Sequence, residues 1–269
     1  DSCAKEIQRR LMTALNIGAN SFREDGWLNL DHPSTRYSGE QAKIDVPHDL
    51  MSGEAIALGD NTLTAAYTSH TIEHISDEYV EQTFKEVYRM LEPGGVFRVT
   101  CPDSDKLYKA YMDGDKEYLT SWVFPHPDGR QQFFRSFGLG EQLVFIIASN
   151  MSPYSKRNSD LARITEGIEV FQEPEIENIL KTKSKEDALT FFTDACQERA
   201  LHLQKQIAGN HVSWWNFEKI KNIMEKVGFK DAQKKKYNES DYEIFKNFDE
   251  KNKDSVAQKY YSVFVEAKK

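Results

Sequence analysis

Short apolar runs alternate with longer polar stretches over the first hundred residues. Thr13–Ile17 is apolar and stops at Gly18, and Gly26–Leu30 stops at Asp31. Ala42–Val46 and Leu63–Thr68 follow, the last leading into Ser69 and His70. Runs this short, bounded by turn-forming or polar residues, predict strands. Val80, Phe84, Val87, Tyr88 and Leu91 then recur at helical spacing, which predicts an amphipathic helix over Tyr79–Leu91. Glu92-Pro93-Gly94-Gly95 breaks that helix, and Val96–Thr100 is the clearest strand in the chain. Strands separated by helical pieces predict βαβ units and a mostly parallel sheet. Ser2–Met12 reads as a leading helix.

The pattern changes after Ser104. Up to Asn210 there is no convincing strand alternation apart from an ambiguous apolar patch at Leu143–Ala148. Ile164–Phe171, Glu175–Lys181 and Glu186–Ile207 read as helices, with prolines punctuating the stretch. The expected organisation is an α/β domain over 1–104 and 210–269, with a helical insertion or cap over 105–209. After Trp215 the α/β pattern returns. Asn216 can cap a helix through Val227 with Phe217, Ile220, Ile223, Met224 and Val227 on one face, and Gly228 follows as its terminator. Phe229–Ala232 is a short strand, and Tyr260–Ala267 is a last strand expected to close the sheet.

Composition narrows the class. The chain has 269 residues, 39% of them hydrophobic and 29% charged, with a formal charge of −8. That is enough to bury one sizeable core. An acidic chain without a basic stripe argues against a nucleic-acid partner, and Lys234-Lys235-Lys236 reads as a solvated face. No apolar run approaches the length of a membrane span, so no membrane partner is expected. Asp1–Arg10 is polar and no signal-peptide core follows it, while a start at Asp1 rather than Met is compatible with upstream trimming. Cys3, Cys101 and Cys196 form no C-x-x-C pair and no even-numbered framework, so free thiols in a reducing compartment, the cytoplasm, are expected.

Three stretches carry candidate chemistry. Gly18 ends the first strand and Asp31 ends the second; such a glycine lets a nucleotide approach the backbone, and such a carboxylate can accept ribose hydroxyl protons. A plain turn and a surface Asp would give the same pattern. Asp45 and Asp49 lie about the third strand, where a carboxylate could accept from an adenine amino group or simply be solvated. Ser69 and His70 stand at the carboxyl end of the fourth strand, where open α/β sheets bind ligands. His70, Glu73 and His74 also spell H-x-x-E-H, a zinc-peptidase pattern when it lies within a long helix; here it follows directly on a strand.

The series as a whole resembles the class I S-adenosylmethionine-dependent methyltransferases, in the broad group of small enzymes with a Rossmann-like sheet. The matching stretches are Leu15–Asn20, Gly26–Asp31, Asp45–Leu50, Asp60–His74 and Leu91–Asp103, then His211–Trp215, Phe217–Phe229 and Tyr261–Ala267. The resemblance covers about 1–105 and 210–269 and leaves the middle untouched. It implies S-adenosylmethionine as cofactor, with S-adenosylhomocysteine as product. Asn16, Gly18, Ala19 and Asn20 would lie along its methionine part, Asp31 would hold the ribose, Asp49 and Leu50 the adenine, and Ser69 and His70 would stand near the sulfonium. Two positions depart from the family pattern: Asn20 replaces its second glycine, and Thr64 replaces its usual Asp. Asparagine tolerates the left-handed conformation that a glycine turn needs.

Methyl transfer to a hydroxyl or amine needs an aligned nucleophile and a proton acceptor. His70, His74, His211 and Asp103 are the candidates, although Asp103 reads equally as the N-cap of the next helix and His74 as a core histidine. No metal ligand set is expected under this reading. The insertion is expected to form the substrate pocket, with Arg130, Arg135 and Trp214 as contacts and most of its aromatics as its own core. The expected reaction is methylation of a small polar acceptor, first a hydroxyl of a sugar or nucleotide-linked sugar, because similar proteins serve carbohydrate biosynthesis. Two other readings stand beside it: a metal-dependent hydrolase on His70, Glu73 and His74, and a non-catalytic Rossmann-like binding subunit.

Overall fold

A computed structural model describes residues 14–33, 44–157, 162–204 and 209–269. The expected leading helix at Ser2–Met12 and residue Cys3 lie outside these. The chain divides into two compact units, Asp1–Pro102 with Asn216–Lys269, and Asp103–Trp215.

The first unit is built on a seven-stranded sheet. Its strands are β1 (Ala14–Ile17), β2 (Trp27–Asp31), β3 (Val46–Pro47), β4 (Leu63–Ser69), β5 (Leu91–Pro102), β6 (Lys230–Lys235) and β7 (Ser262–Lys268). Their order is β3-β2-β1-β4-β5-β7-β6. The first five strands run parallel and β7 runs antiparallel to both neighbours. The last strand therefore does not close the sheet: it inserts between β5 and β6. β6 forms the edge, and its Lys-rich sequence suits a strand that must not pair with another chain.

Strand alternation assigns the two faces. Ala66 pairs with Phe97, which pairs with Ala267; the next row is Tyr67, Arg98 and Glu266. Phe97 faces helix α1 (Asp77–Met90): its ring meets Phe84 at 5.0 Å and Phe229 at 5.7 Å. Helix α2 (Phe217–Val227) starts at Asn216, whose side chain accepts from the Lys219 N–H, and Lys219 and Lys226 reach Asp77 and Glu81 of α1.

The other face is covered in an unexpected way. Parallel strands usually need a crossover of a dozen or more residues, most often a helix. Here β1 and β2 are joined by residues 18–26 alone, with no helix among them. The vacated face is filled by two one-turn 3-10 segments near the C-terminus, Glu243–Phe245 and Asp249–Lys251. Phe248 stacks on Trp27 at 4.7 Å and meets Tyr67 and Phe22 edge-on at 4.9 and 5.6 Å. Phe245 and Phe248 are both buried with Ala14, Ala65, Tyr67 and Val96.

A buried charged cluster anchors this plug. Arg98 donates from Nε to Asp249 Oδ1 at 3.0 Å, from Nη2 to Asp249 Oδ2, and from Nη1 to Glu266 Oε1 at 2.5 Å. All three side chains are at most 1% exposed. Burial works against the charged guanidinium, but Asp249 and Glu266 outweigh it and hold Arg98 above its ordinary range. Asp249 also accepts the Asn238 N–H at 2.8 Å, and Arg98 donates to the Glu239 carbonyl at 3.1 Å.

The second unit is helical among its described residues. Its longer helices are Ser104–Asp113, Leu139–Ile147, Glu173–Thr182 and Lys185–Ala200. The ambiguous patch at Leu143–Ala148 is thus mostly helix. The expected helix over Ile164–Phe171 is instead a series of turns, because Gly167 adopts φ 83 and the chain reverses there. Leu143, Ile147, Tyr154, Ile176, Leu189 and Phe192 are among the residues of its core. Burial pushes the Cys196 thiol up to about 12. The thiolate is the reactive form, so peptide mapping after alkylation of the native protein should find Cys196 unmodified and find it labelled only after unfolding. Labelling of Cys196 in the folded state would show that this core opens.

Candidate functional site

Strand order reverses between β1 and β4, and ligands of open α/β sheets bind beyond the carboxyl ends of strands at such a point. Three loops converge there. The loop after β1 turns through Gly18 at φ 67 and Asn20 at φ 44. Asn20 therefore takes the left-handed conformation that its position requires. Its N–H donates to Asp31 Oδ2 at 2.7 Å, and the His32 N–H donates to Oδ1 at 2.7 Å. A carboxylate has about four acceptor positions, so Asp31 can hold this turn and still accept from a diol.

Gly18 is required by packing as well as by backbone angle. A Cβ there would lie 2.1 Å from Thr71 Oγ1, in the loop after β4. The Thr71 hydroxyl in turn lies 3.3 Å from the Ile17 carbonyl and 3.2 Å from that of Ser69, donating towards both. The loops after β1 and β4 thus meet directly, a contact the sequence alone did not single out. Gly18→Ala should cost about 2–4 kcal/mol, from left-handed strain and overpacking. Thermal melts of G18A, T71A and the double variant check this: part of the loss should return when the Thr71 methyl and hydroxyl are removed. Purely additive losses would show that the two loops do not press on each other.

The remaining expected cofactor contacts divide. Asp49 lies on the loop after β3, accepting the Met51 N–H at 2.9 Å, with His32 Nε2 3.6 Å away; Leu50 follows it half-buried. Ala19 is buried, and its N–H and that of Gly18 donate to the Leu30 carbonyl. Asn16 points elsewhere: its amide donates to the Phe22 carbonyl at 3.2 Å and to Asn29 Oδ1 at 3.4 Å, inside the sheet. Asn29 then donates to Asp45 Oδ2 at 2.9 Å, so Asn16, Asn29 and Asp45 form a polar ladder across the first three strands. The same Asp45 oxygen accepts the Asn29 N–H at 2.8 Å, so Asp45 pins β2 to the segment before β3. Thr64 sits in β4 with its hydroxyl buried and unpartnered, so it does not take over the family's carboxylate role.

Ser69 ends β4, and His70 follows in the left-handed region at φ 51, its N–H donating to the Thr100 carbonyl of β5 at 2.9 Å. Its Nδ1 is 3.1 Å from Glu73 Oε1 and its Nε2 is 2.8 Å from the Ser262 hydroxyl of β7. His74 Nε2 is 4.0 Å from the same Glu73 oxygen. Ile72–His74 is a single 3-10 turn. The long helix that would set His70 and His74 on one face as zinc ligands does not form.

Other expected residues belong to the second unit. Asp103 is the N-cap of helix Ser104–Asp113, its carboxylate accepting the Asp105 N–H at 3.2 Å. His211 is buried with Nδ1 2.5 Å from the Ile146 carbonyl and its ring edge-on to Trp122. Trp214 is 6% exposed, and its indole N–H donates to the Thr190 hydroxyl. Arg130 forks onto Asp128, and Arg135 onto Glu117, as exposed pairs. None of these guanidinium groups needs an external anion to be satisfied.

Residues 28–99 match the model of a family described as a methyltransferase domain. That match falls on β2 to β5 of a mostly parallel, Rossmann-like sheet with an antiparallel seventh strand. In structure the chain is similar to a SAM dependent methyltransferase from Archaeoglobus fulgidus, at 13% identity over all of this chain and 91% of that one, with a TM-score of 0.41. It is similar also to an S-adenosylmethionine dependent methyltransferase from Mesorhizobium loti, at 13% identity, 97% and 91% coverage and a TM-score of 0.39. No curated protein matches it in sequence. No helix among the described residues is long and apolar enough to cross a membrane.

Proposed function

We propose that this chain methylates a hydroxyl of a small polar acceptor, a sugar or nucleotide-linked sugar, with S-adenosylmethionine as donor. The observation that carries the donor site is the Asn20–Asp31 pair at the switch point: a left-handed turn held by a strand-end carboxylate with acceptor capacity to spare. The donor set suits the cofactor. Asp31 would offer acceptors to the ribose diol, Asp49 and Leu50 would flank the adenine, and the Gly18–Asn20 backbone would run beside the methionine part. Bound S-adenosylmethionine supplies an electrophilic methyl on its sulfonium. The protein must align the acceptor oxygen in line with that methyl and take up its proton. His70 is the assigned proton acceptor, because it lies past β4 on the β5 side of the switch point. The acceptor class rests on family habit, since similar small methyltransferases often serve carbohydrate biosynthesis, and not on particular residues of this chain.

Calorimetric titration with S-adenosylmethionine and S-adenosylhomocysteine tests the donor site, and transfer of isotopically labelled methyl into a panel of sugars and nucleotide sugars tests the acceptor. Saturable binding with label in a sugar product is the expected result. Binding with label only in amine acceptors overturns the acceptor class, and failure to bind either compound favours a non-catalytic subunit.

A further inference from the structure

His70 has a polar neighbour at each ring nitrogen, and the two are of different kinds. Glu73 is 1% exposed and its carboxylate is an acceptor only; it lies 3.1 Å from Nδ1. Ser262 is 1% exposed and its hydroxyl both donates and accepts; it lies 2.8 Å from Nε2. The Ser262 hydroxyl has a second acceptor within reach, the Gln258 carbonyl at 2.9 Å, which already receives the Tyr261 N–H. His74 is another titratable group beside Glu73, at 4.0 Å, and the Thr100 carbonyl of β5 accepts the His70 N–H at 2.9 Å.

We propose that Glu73 and Ser262 are positioning residues for His70: Glu73 fixes the ring proton on Nδ1, and Ser262 serves Nε2 as a hydroxyl that can face either way. An acceptor-only oxygen beside Nδ1 selects the tautomer that carries its proton there. Nε2 is then the basic nitrogen. With neutral His70 the Ser262 O–H donates to Nε2. When Nε2 gains a proton it donates to Ser262 Oγ, and the Ser262 proton turns to Gln258. Both states of the ring are satisfied without moving a backbone atom. Nucleophilic use of this carboxylate–imidazole–hydroxyl chain is disfavoured, because Ser262 is buried within an antiparallel strand pair.

The proposal rests on the assignment of His70 as proton acceptor, yet its test needs neither cofactor nor acceptor. Imidazole nitrogen spectra of 15N-histidine-labelled protein at neutral pH report the tautomer directly, with the His70 signals identified by their loss in His70→Asn. Wild type should show Nδ1 protonated and Nε2 unprotonated. Ser262→Ala should keep that tautomer and shift only the Nε2 signal, whereas Glu73→Gln, whose amide can accept or donate, should release a mixture. A wild-type ring protonated on Nε2 alone overturns the proposal even if neither variant folds. So does an unchanged His70 signal in folded Glu73→Gln. If the tautomer is as expected and turnover with a sugar acceptor survives His70→Asn, the positioning stands and the base assignment fails.

Discussion

Asp249→Ala should destabilise the protein by about 3–5 kcal/mol, the usual loss when one partner of a buried ion pair is removed. Arg98 would keep Glu266 but lose both of its bonds to Asp249, at 0% exposure. The Asn238 N–H would lose its acceptor as well. At roughly 2–4 °C per kcal/mol for a chain of this size, the midpoint of thermal unfolding should fall by about 10 °C. Asp249→Asn should fall between, since it keeps an oxygen for the Asn238 N–H and gives up the charge. Differential scanning calorimetry of the three proteins checks this. A loss under about 1 kcal/mol in Asp249→Ala would mean that the plug is held by Phe245 and Phe248 alone.

Asp31→Ala should weaken S-adenosylhomocysteine binding by about 10- to 100-fold. Hydrogen bonds to a charged group contribute about 1.5–3 kcal/mol, and each 1.4 kcal/mol is tenfold in affinity. Two losses combine here. The ribose loses its acceptor, and the Asn20 N–H loses the partner that holds the turn. Asp31→Asn separates them, because an amide oxygen can still take the Asn20 N–H. Calorimetry of both variants, with circular dichroism to confirm the fold, gives the answer. Equal affinity in wild type and Asp31→Ala would put the ribose elsewhere and place β2 outside the donor site.

The strands were legible wherever a short apolar run met a turn residue. Ile17 before Gly18, Leu30 before Asp31 and Thr68 before Ser69 mark the ends of β1, β2 and β4 within a residue. Asn216 and Gly228 framed α2 for the same reason: caps are local chemistry. The cover over the β1–β2 face was not legible. One-turn 3-10 segments have no period to detect, and Phe245 and Phe248 are set among charged residues that suggest a solvated loop. Arg98 pairs with residues 151 and 168 positions away, which no local pattern can announce. The site shows the same division. Asn20 and Asp31 follow from strand ends, while in sequence Glu73 figures only in the H-x-x-E-H pattern. Ser262 carries no motif, and only the placement of β7 beside β5 brings it to the ring.

Covering a sheet face with residues so distant in the chain has a consequence during synthesis. Trp27 and Phe22 leave the ribosome about 220 residues before Phe248, against which both pack. At translation rates of about 5–20 residues per second, that is a wait of roughly 10–45 seconds with an aromatic surface uncovered. The nascent chain is therefore exposed to chaperone capture and to aggregation throughout that interval. Permuted versions that place 238–258 ahead of β1 should fold with less of either.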